Sequence, residues 1–297
     1  MKCNKELNQL YSPLSLLPSN VAEEVTKRLH DIIHYQPIIG IMGKTGAGKS
    51  SLCNALFRST VSAVSHTTAC TREPQRFTLQ AGERQVTLID LPGVGESPER
   101  DEEYQALYQR IWPELDLVLW LIKADDRALT PDCDFYFRML SPGSAGRDKV
   151  LFVLTQADKI EPSREWSGFL NQPSEQQLKH LKEKQRAVCS LFNHPALPVI
   201  TVSAATGWHL PELVEVLFRS LPARASSAVS AVSSVIRPQY RTQKIEAQAQ
   251  QDFGDTVSDV MTHTLSELSL PSAVNAVVST VISAVVSVAR SVWRFFF

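Results

Sequence analysis

The stretch GIMGKTGAGKSSLCNAL combines glycine, lysine and hydroxyl residues at a spacing that suits phosphate binding. Gly43, Gly48, Lys49 and Ser50 satisfy the pattern GxxxxGKS/T, which lies here between an apolar strand and an amphipathic helix. Backbone N–H groups in such a loop turn towards phosphate oxygens, and the N-terminus of the following helix adds partial positive charge. The lysine would bridge the β and γ phosphates, and the serine hydroxyl would bind magnesium. The candidate nucleotide-binding residues of this loop are Gly43, Lys44, Thr45, Gly46, Ala47, Gly48, Lys49, Ser50 and Ser51.

An acidic residue follows at the end of another apolar segment. The run RQVTLID ends in Asp90, which is where an acid that holds magnesium through water is expected, and Gly93 completes the pattern DxxG. An aspartate at a strand end is also a common turn former. Because the phosphate loop precedes it, we favour the magnesium role for Asp90.

Two later segments predict which base is bound. Asp158 in VLTQAD follows an apolar strand, and its carboxylate can accept hydrogen bonds from guanine N1–H and N2–H₂ but would repel N1 of adenine. In TVSAATG, the segment of Ser203 and Ala204, the N–H of Ala204 is placed to meet guanine O6. Each of these elements ends a strand, where doubly wound sheets bind their ligands. The sequence therefore predicts a guanine-nucleotide site.

The arrangement of elements predicts an α/β fold. Between Pro37 and Leu221, short β-branched runs alternate with helical segments, which indicates a mostly parallel sheet with helices on both faces. We expect an N-terminal helical segment over 1–36, a nucleotide-binding domain over 37–222, and a Ser/Ala/Val-rich linker and C-terminal helical tail over 223–297.

Composition narrows the class of protein. The formal net charge of −1 provides no overall reason to expect nucleic acid as a partner, so such a partner would depend on a local patch. The five cysteines lie far apart without CxxC spacing, which favours free thiols over a disulfide or zinc framework. The N-terminus lacks the apolar run of a signal peptide, and we expect a cytoplasmic protein.

The segments HTTACTREP, DLPGVGE, TQAD and SAATG follow the phosphate loop in the order of the G-motifs. With them the sequence resembles the translation-factor-class, Era-like P-loop GTPases, and among these the bacterial, often prophage-borne YfjP/YkfA-type family. The resemblance implies a P-loop G domain that binds GTP or GDP with Mg²⁺ and hydrolyses GTP to GDP and phosphate. It also implies that Thr71 is the switch-I threonine that senses magnesium and the γ-phosphate, with Thr67 and Thr68 as competitors. The implied catalytic set is Lys49, Thr71 and Gly93, and the implied metal set is Ser50, Thr71 and Asp90.

The sequence departs from the pattern of these GTPases at three places. The guanine motif NKxD reads TQAD, so Thr155 is expected to bond towards the phosphate loop and Gln156 to cover one base face without a lysine's charge. Val94 occupies the position of the water-orienting glutamine of Ras-like enzymes, which predicts slow turnover. Glu96, a switch-I residue or a partner in trans remain alternatives for that role. Gly46 replaces the asparagine of potassium-stimulated relatives, so we expect little potassium dependence.

The sequence of the C-terminal tail is compatible with several binding partners. It combines a valine-rich face with serines at every fourth position and an aromatic end, VWRFFF. Such a helix can cover the G domain, self-associate as a homodimer through the serine seam, contact a membrane surface or span a bilayer. Cations between Arg219 and Lys244 leave RNA or the ribosome as a weaker alternative.

We therefore expect a slow GTPase that acts as a molecular switch, in the cytoplasm or peripherally at the inner face of the membrane. Two alternative functions stay open at this point. One is a GTP-regulated membrane-interaction protein with little turnover, and the other is a ribosome- or RNA-associated assembly GTPase.

Overall fold

The computed structural model describes residues 8–57, 61–62, 74–81, 84–92, 98–140, 146–193, 198–222, 236–240, 242–267 and 272–296. The chain divides into two compact units. The larger unit spans Pro37–Leu221 and Val235–Arg241, and the smaller one combines Met1–Gln36, Pro222–Ser234 and Thr242–Phe297. The N-terminal segment and the tail, which the sequence presents as separate segments, thus belong to one unit.

The larger unit is built on one sheet. Its strands are β1 (Ile38–Met42), β2 (Val61–Ser62), β3 (Gln75–Ala81), β4 (Arg84–Asp90), β5 (Leu117–Lys123), β6 (Val150–Thr155) and β7 (Ile200–Thr201). These seven strands are arranged in the order β2-β3-β4-β1-β5-β6-β7. β1 pairs in parallel with β4 and β5, and β6 does so with β5 and β7, whereas β3 is antiparallel to β2 and β4. The predicted mostly parallel sheet is confirmed. Its antiparallel edge, formed by β2, β3 and β4, was not predicted from the sequence.

The helices of the described residues come from both units. In chain order they are α1 (Ser19–Ile33), α2 (Lys49–Leu56), α3 (Pro98–Ile111), α4 (Thr130–Met139), α5 (Glu175–Leu191), α6 (Leu210–Ser220), α7 (Gln243–Glu267) and α8 (Ser272–Phe296). Helices α2 to α6 belong to the larger unit and α1, α7 and α8 to the smaller one. The predicted combination of an α/β domain with a helical C-terminal region is confirmed.

The core of the larger unit lies around its central strands. β6 is buried along its whole length and β5 along all but its last residue, so both faces of the sheet are covered. Trp120 of β5 is 1% exposed, and its ring contacts those of Tyr136 and Phe152 at centroid distances of 5.6 and 5.8 Å. Trp120 is therefore a central residue of the core. This packing makes the sheet a rigid support for the loops at its edge.

Helix α5 begins with a capping box. Ser174 Oγ accepts a hydrogen bond from the N–H of Gln177 at 3.1 Å, and Gln177 Oε1 accepts one from the N–H of Ser174 at 3.0 Å. The same buried Gln177 donates from Nε2 to the carbonyl of Ile160 at 3.0 Å. Ile160 directly follows the turn Ala157–Lys159, so the cap of α5 also fixes the end of that turn.

The smaller unit is a helical assembly. α8 packs on α7 and on the 3-10 turn Ser12–Leu16, and α7 packs on α1. Arg28 of α1 pairs with Glu267 of α7 at 2.8 Å, and Arg290 of α8 pairs with Asp255 of α7 at 2.8 Å. These pairs are partly exposed and contribute little free energy compared with apolar burial.

The valine-rich face of the tail is buried within this unit. Its buried residues on α8 are Val281, Val285, Ala289, Val292 and Trp293. The serines at every fourth position, Ser279, Ser283, Ser287 and Ser291, are exposed. None of the helices within the described ranges combines the length and apolar character that crossing a bilayer requires. Membrane contact through the aromatic end stays a prediction, because the side chains from Arg294 onwards lie outside the described part of the chain.

Candidate nucleotide-binding site

The phosphate loop joins the central strand β1 to α2, and its glycines have backbone angles that favour glycine. Gly43, Gly46 and Gly48 have φ values of +144°, +81° and +88°. A Cβ atom on Gly43 would lie 2.4 Å from the carbonyl oxygen of Leu121 in β5. The loop therefore needs glycine at Gly43 for space as well as for φ, and its course is set by contact with the sheet.

Lys49 and Ser50 begin α2 and lie beside Asp90 in the same cleft. Lys49 Nζ donates a hydrogen bond to the carbonyl of Gly43 at 2.8 Å, so its ammonium group is held over the loop. The loop thus presents a cation at the place where the sequence predicts the β and γ phosphates.

Asp90, at the end of β4, has a carboxylate that is suited to binding a cation. Its Oδ1 atom is buried and has no hydrogen-bond partner in the described part of the structure. Burial raises the pKa of the Asp90 carboxyl, and the positive charge of Lys49 opposes this shift. A buried carboxylate oxygen without a partner is costly, and a divalent cation nearby would remove that cost.

These oxygens fit Mg²⁺ bound together with a nucleotide. Among the described residues no group of three or more His, Cys, Asp and Glu side chains is arranged to hold a metal ion. Mg²⁺ is commonly held by one or two protein oxygens together with phosphates and water, and Ser50 and Asp90 would supply such oxygens here. Thr71 and Gly93, which complete the predicted metal and catalytic sets, lie outside the described residues.

The guanine motif is tied to the phosphate loop by two side chains. Thr155 Oγ1 donates to the carbonyl of Ala47 at 2.6 Å, which is the predicted bond towards the loop. Gln156, whose φ is +57°, donates from Nε2 to the carbonyl of Gly46 at 2.8 Å. Lys159 Nζ in turn donates to Gln156 Oε1 at 3.0 Å. The residues that replace NKxD thus still connect the two parts of the site.

The segment SAATG closes the site at the end of β7. The N–H of Ala157 donates to the carbonyl of Val202 at 3.1 Å, which joins this segment to the guanine motif. Ser203 Oγ accepts from the N–H of Thr206 at 3.2 Å, so its hydroxyl holds the turn and does not face the cleft. The side chain of Asn171 adds a bond from Nδ2 to the carbonyl of Thr206 at 2.9 Å. The carbonyls of Val202 and Thr206, on either side of Ala204, are thus bonded to two other loops.

These elements enclose a cleft of about 540 Å³, within the range of ligand-binding pockets. Its lining residues come from all four motifs that the structure describes. They are Thr45, Gly46, Ala47, Gly48, Lys49, Ser50, Ser51, Asp90, Thr155, Gln156, Asp158, Lys159, Ala204 and Ala205. Lys159 and Ala205 were not in the predicted set. Both directly follow predicted residues in the chain, which is the signal by which the sequence could have indicated them.

Lys44 belongs to the loop, but its side chain points to a different cleft. Its Nζ lies 2.7 Å from Asp132 Oδ2 and 3.2 Å from Asp126 Oδ2, and it also donates to the carbonyl of Ala128. Burial acts to lower the pKa of Lys44, but the bonds to the two carboxylates outweigh this effect and the pKa is raised. The Lys44 ammonium thus anchors the loop to the segment after β5, a role for which Asp132 gave no sequence signal.

The loop, the strand-end aspartates and the shared cleft define this domain as a P-loop GTPase domain. The family profile described as 50S ribosome-binding GTPase matches residues 38–181 of the chain. Its match covers the phosphate loop, Asp90 and Asp158.

The whole chain is similar to two proteins of Escherichia coli (strain K12). It is 46% identical over 299 residues to the uncharacterised protein YkfA and 47% identical over 297 residues to the uncharacterised protein YfjP, in both cases over 100% of each chain. The chain belongs to the family of YkfA and YfjP. GTPase Era of Aquifex aeolicus is 26% identical over 62% of this chain and 56% of its own length. The crystal structure of Aquifex aeolicus Era Y63A bound to GDP·AlF₄⁻ matches with a TM-score of 0.43 at 24% identity, over 62% of this chain and 56% of Era.

Proposed function

We propose that this protein is a guanine-nucleotide switch that hydrolyses GTP slowly. The observation that carries the proposal is the single cleft in which Lys49, Ser50 and Asp90 lie together with Asp158 and Ala204. The first three suit a magnesium-bound polyphosphate, and the last two suit the hydrogen-bonding edge of guanine. One nucleotide can satisfy both groups only if it carries guanine.

In this proposal Ser50, Asp90 and Thr71 would hold Mg²⁺ together with the phosphates, and the bound metal would supply positive charge against them. Thr71 would contact the metal and the γ-phosphate only in the GTP state, so hydrolysis would release the segment that carries it. The buried, unpartnered Oδ1 of Asp90 supports the metal site. The role of Thr71 depends on the family resemblance alone.

The expected turnover is slow because Val94 cannot orient water. Single-turnover assays with radiolabelled GTP and purified protein should show hydrolysis that requires Mg²⁺ and changes little when Na⁺ replaces K⁺. The intrinsic rate of Ras without an activating protein, about 3–5 × 10⁻⁴ s⁻¹, is the relevant scale. Strong stimulation by K⁺ would contradict the proposal about Gly46. A rate per molecule that rises steeply with protein concentration would identify a water-orienting group supplied by a second copy.

The guanine assignment is tested at Asp158. Asp158→Asn replaces an acceptor oxygen by a donor NH₂, which matches the C2 carbonyl of xanthine and opposes the N2 amine of guanine. We expect GDP affinity to fall at least about tenfold, since a donor then faces the N2 amine of guanine where an acceptor is needed, and XDP affinity to rise. Titration of fluorescent GDP, XDP and ADP analogues measures all three affinities.

Glu165→Gln is the matched control, because this exposed carboxylate does not line the cleft. It should leave GDP affinity unchanged. Equal affinity of the unmodified protein for ADP and GDP would refute the guanine assignment, whatever Asp158→Asn does.

Two partner classes stay predictions within this proposal. One is an anionic membrane surface contacted by the aromatic end of the tail, and the other is the ribosome or RNA. Co-sedimentation of the full chain with anionic vesicles and, separately, with ribosomal subunits distinguishes them when each nucleotide is present in turn.

A further inference from the structure

Two positively charged side chains line the cleft, at different places along it. Among the residues that line it, Lys49 and Lys159 carry positive charge, and Asp90 and Asp158 carry negative charge. Lys49 is held over the phosphate loop by its bond to Gly43, at the phosphate end of the cleft. Lys159 follows Asp158 in the chain and lies at the base end. Guanosine phosphates are strongly anionic, so a second cation in the cleft is electrostatically significant.

We infer that Lys159 acts with Gln156 as a latch that sets nucleotide affinity, by closing the phosphate-loop apex against the guanine motif and adding a positive charge there. The inference depends on the proposed guanine-nucleotide site. It assigns Lys159 as a positioning residue, because its described hydrogen bond is to Gln156.

The latch consists of two hydrogen bonds that share one amide. Lys159 Nζ donates to Gln156 Oε1 at 3.0 Å, and Gln156 Nε2 donates to the carbonyl of Gly46 at 2.8 Å. An ammonium group can only donate and a carbonyl can only accept, so only one orientation of the amide satisfies both neighbours. Lys159 therefore holds the NH₂ group of Gln156 towards the loop.

The backbone holds Lys159 in place for this contact. The N–H of Lys159 donates to the carbonyl of Gln156 at 2.9 Å, and the N–H of Ala157 donates to Val202 at 3.1 Å. Gln156 itself has a φ of +57°, a left-handed conformation that costs a residue with a side chain conformational free energy. The hydrogen bonds at both ends of its side chain offset that cost.

The other end of the latch needs a partner because the loop apex is open. A Cβ atom on Gly46 would contact nothing within 4 Å, so the space on that side of the residue is open. The bond from Gln156 is the described side-chain contact to its carbonyl. A fixed apex keeps the loop N–H groups oriented before the nucleotide arrives, and this preorganisation increases affinity.

A double-mutant cycle between Lys159 and Gln156 tests the latch. Lys159→Gln should weaken GDP binding about fivefold, while Lys159→Arg, which keeps the charge, should restore most of it. Gln156→Lys places an ammonium group directly beside Gly46. In that background Lys159→Gln should weaken binding clearly less than it does in the unmodified protein, because the amide partner is gone and only the contribution of the charge remains. Affinities are measured by titration of a fluorescent GDP analogue and melting temperatures by circular dichroism.

Salt dependence separates a charge effect from a merely structural one. The slope of log affinity against log salt should become shallower in Lys159→Gln and stay unchanged in Lys159→Arg. Lys179→Gln is the matched control, because this exposed lysine of α5 does not line the cleft.

Two results would overturn the latch. One is an unchanged GDP affinity in Lys159→Gln, and the other is an equal loss from this substitution with glutamine and with lysine at position 156. If the unmodified protein binds GDP better than ADP, either result removes the latch alone. Failure of the unmodified protein to bind GDP would remove the proposed function as well.

Discussion

Replacing Lys49 by methionine is expected to weaken GTP binding by at least about thirtyfold. The Lys49 ammonium is already fixed by its 2.8 Å bond to the carbonyl of Gly43, so little side-chain entropy is lost when phosphate binds. Methionine keeps the apolar stem and removes the charge. Loss of one charge-assisted partner of a phosphate costs about 2 kcal/mol or more, which corresponds to this change in affinity.

Isothermal titration with a non-hydrolysable GTP analogue in Mg²⁺ measures the effect. Lys182→Met is the control, because Lys182 is an exposed lysine of α5 outside the cleft. Ser50→Ala should also weaken binding, and more strongly with Mg²⁺ than with EDTA, since its hydroxyl acts through the metal. If Lys49→Met and Ser50→Ala both retained full magnesium-dependent binding and turnover, the phosphate-loop assignment would be wrong.

The second large effect is expected from Gly43→Val. Any side chain on Gly43 begins 2.4 Å from the carbonyl oxygen of Leu121, and its φ of +144° is unfavourable for every residue with a Cβ atom. Leu121 lies within β5 and is paired with Val153 of β6, so moving its carbonyl would disturb the sheet. We expect the loop to be displaced, nucleotide binding to be lost, and the free energy of unfolding to fall by about 3 kcal/mol.

Gly168→Ala is the matched control, because a Cβ atom there meets nothing within 4 Å and the φ of Gly168 is not positive. Urea unfolding and GDP titration of both variants separate stability from binding. The effect of Gly46→Ala should lie between those of the two variants, because the φ of Gly46 is +81° but the space around an added Cβ atom is open. A Gly43→Val variant with unchanged stability and GDP affinity would contradict the assigned loop geometry.

Much of the fold followed from local patterns. The apolar runs around β1, β4, β5, β6 and β7 and the periodic segments around α1, α3, α5 and α6 were visible because strand and helix periodicity are local properties. The antiparallel edge was missed although Phe77 and Leu79 alternate with polar residues in β3, a pattern typical of a half-buried strand. β2 has two residues and no usable period, and its pairing with β3 is a long-range fact.

For the smaller, helical unit, the sequence did not indicate which segments pack on one another. Apolar periodicity in α8 predicts a covered face but contains no information about what covers it. The structure buries that face with α7 and the turn Ser12–Leu16, and α7 also packs on α1. α7 directly precedes α8 in the chain, but Ser12–Leu16 and α1 lie more than 200 residues away, and such distant partners are selected by packing complementarity, which no window of sequence contains.

For the candidate site, the sequence by itself determined which chemistry to predict, because phosphate loops, magnesium acids and guanine acceptors require particular residue types at strand ends. It predicted one site for Lys49, Ser50, Asp90 and Asp158, and these four residues line one cleft of the structure. Only the tertiary structure decided which groups the lysine side chains around the site bind. Lys44 turns to buried Asp132, whereas Lys159 joins Gln156 and the loop apex. Identical side chains acquire different roles here because hydrogen bonding and burial depend on which distant segments the fold brings within about 3 Å.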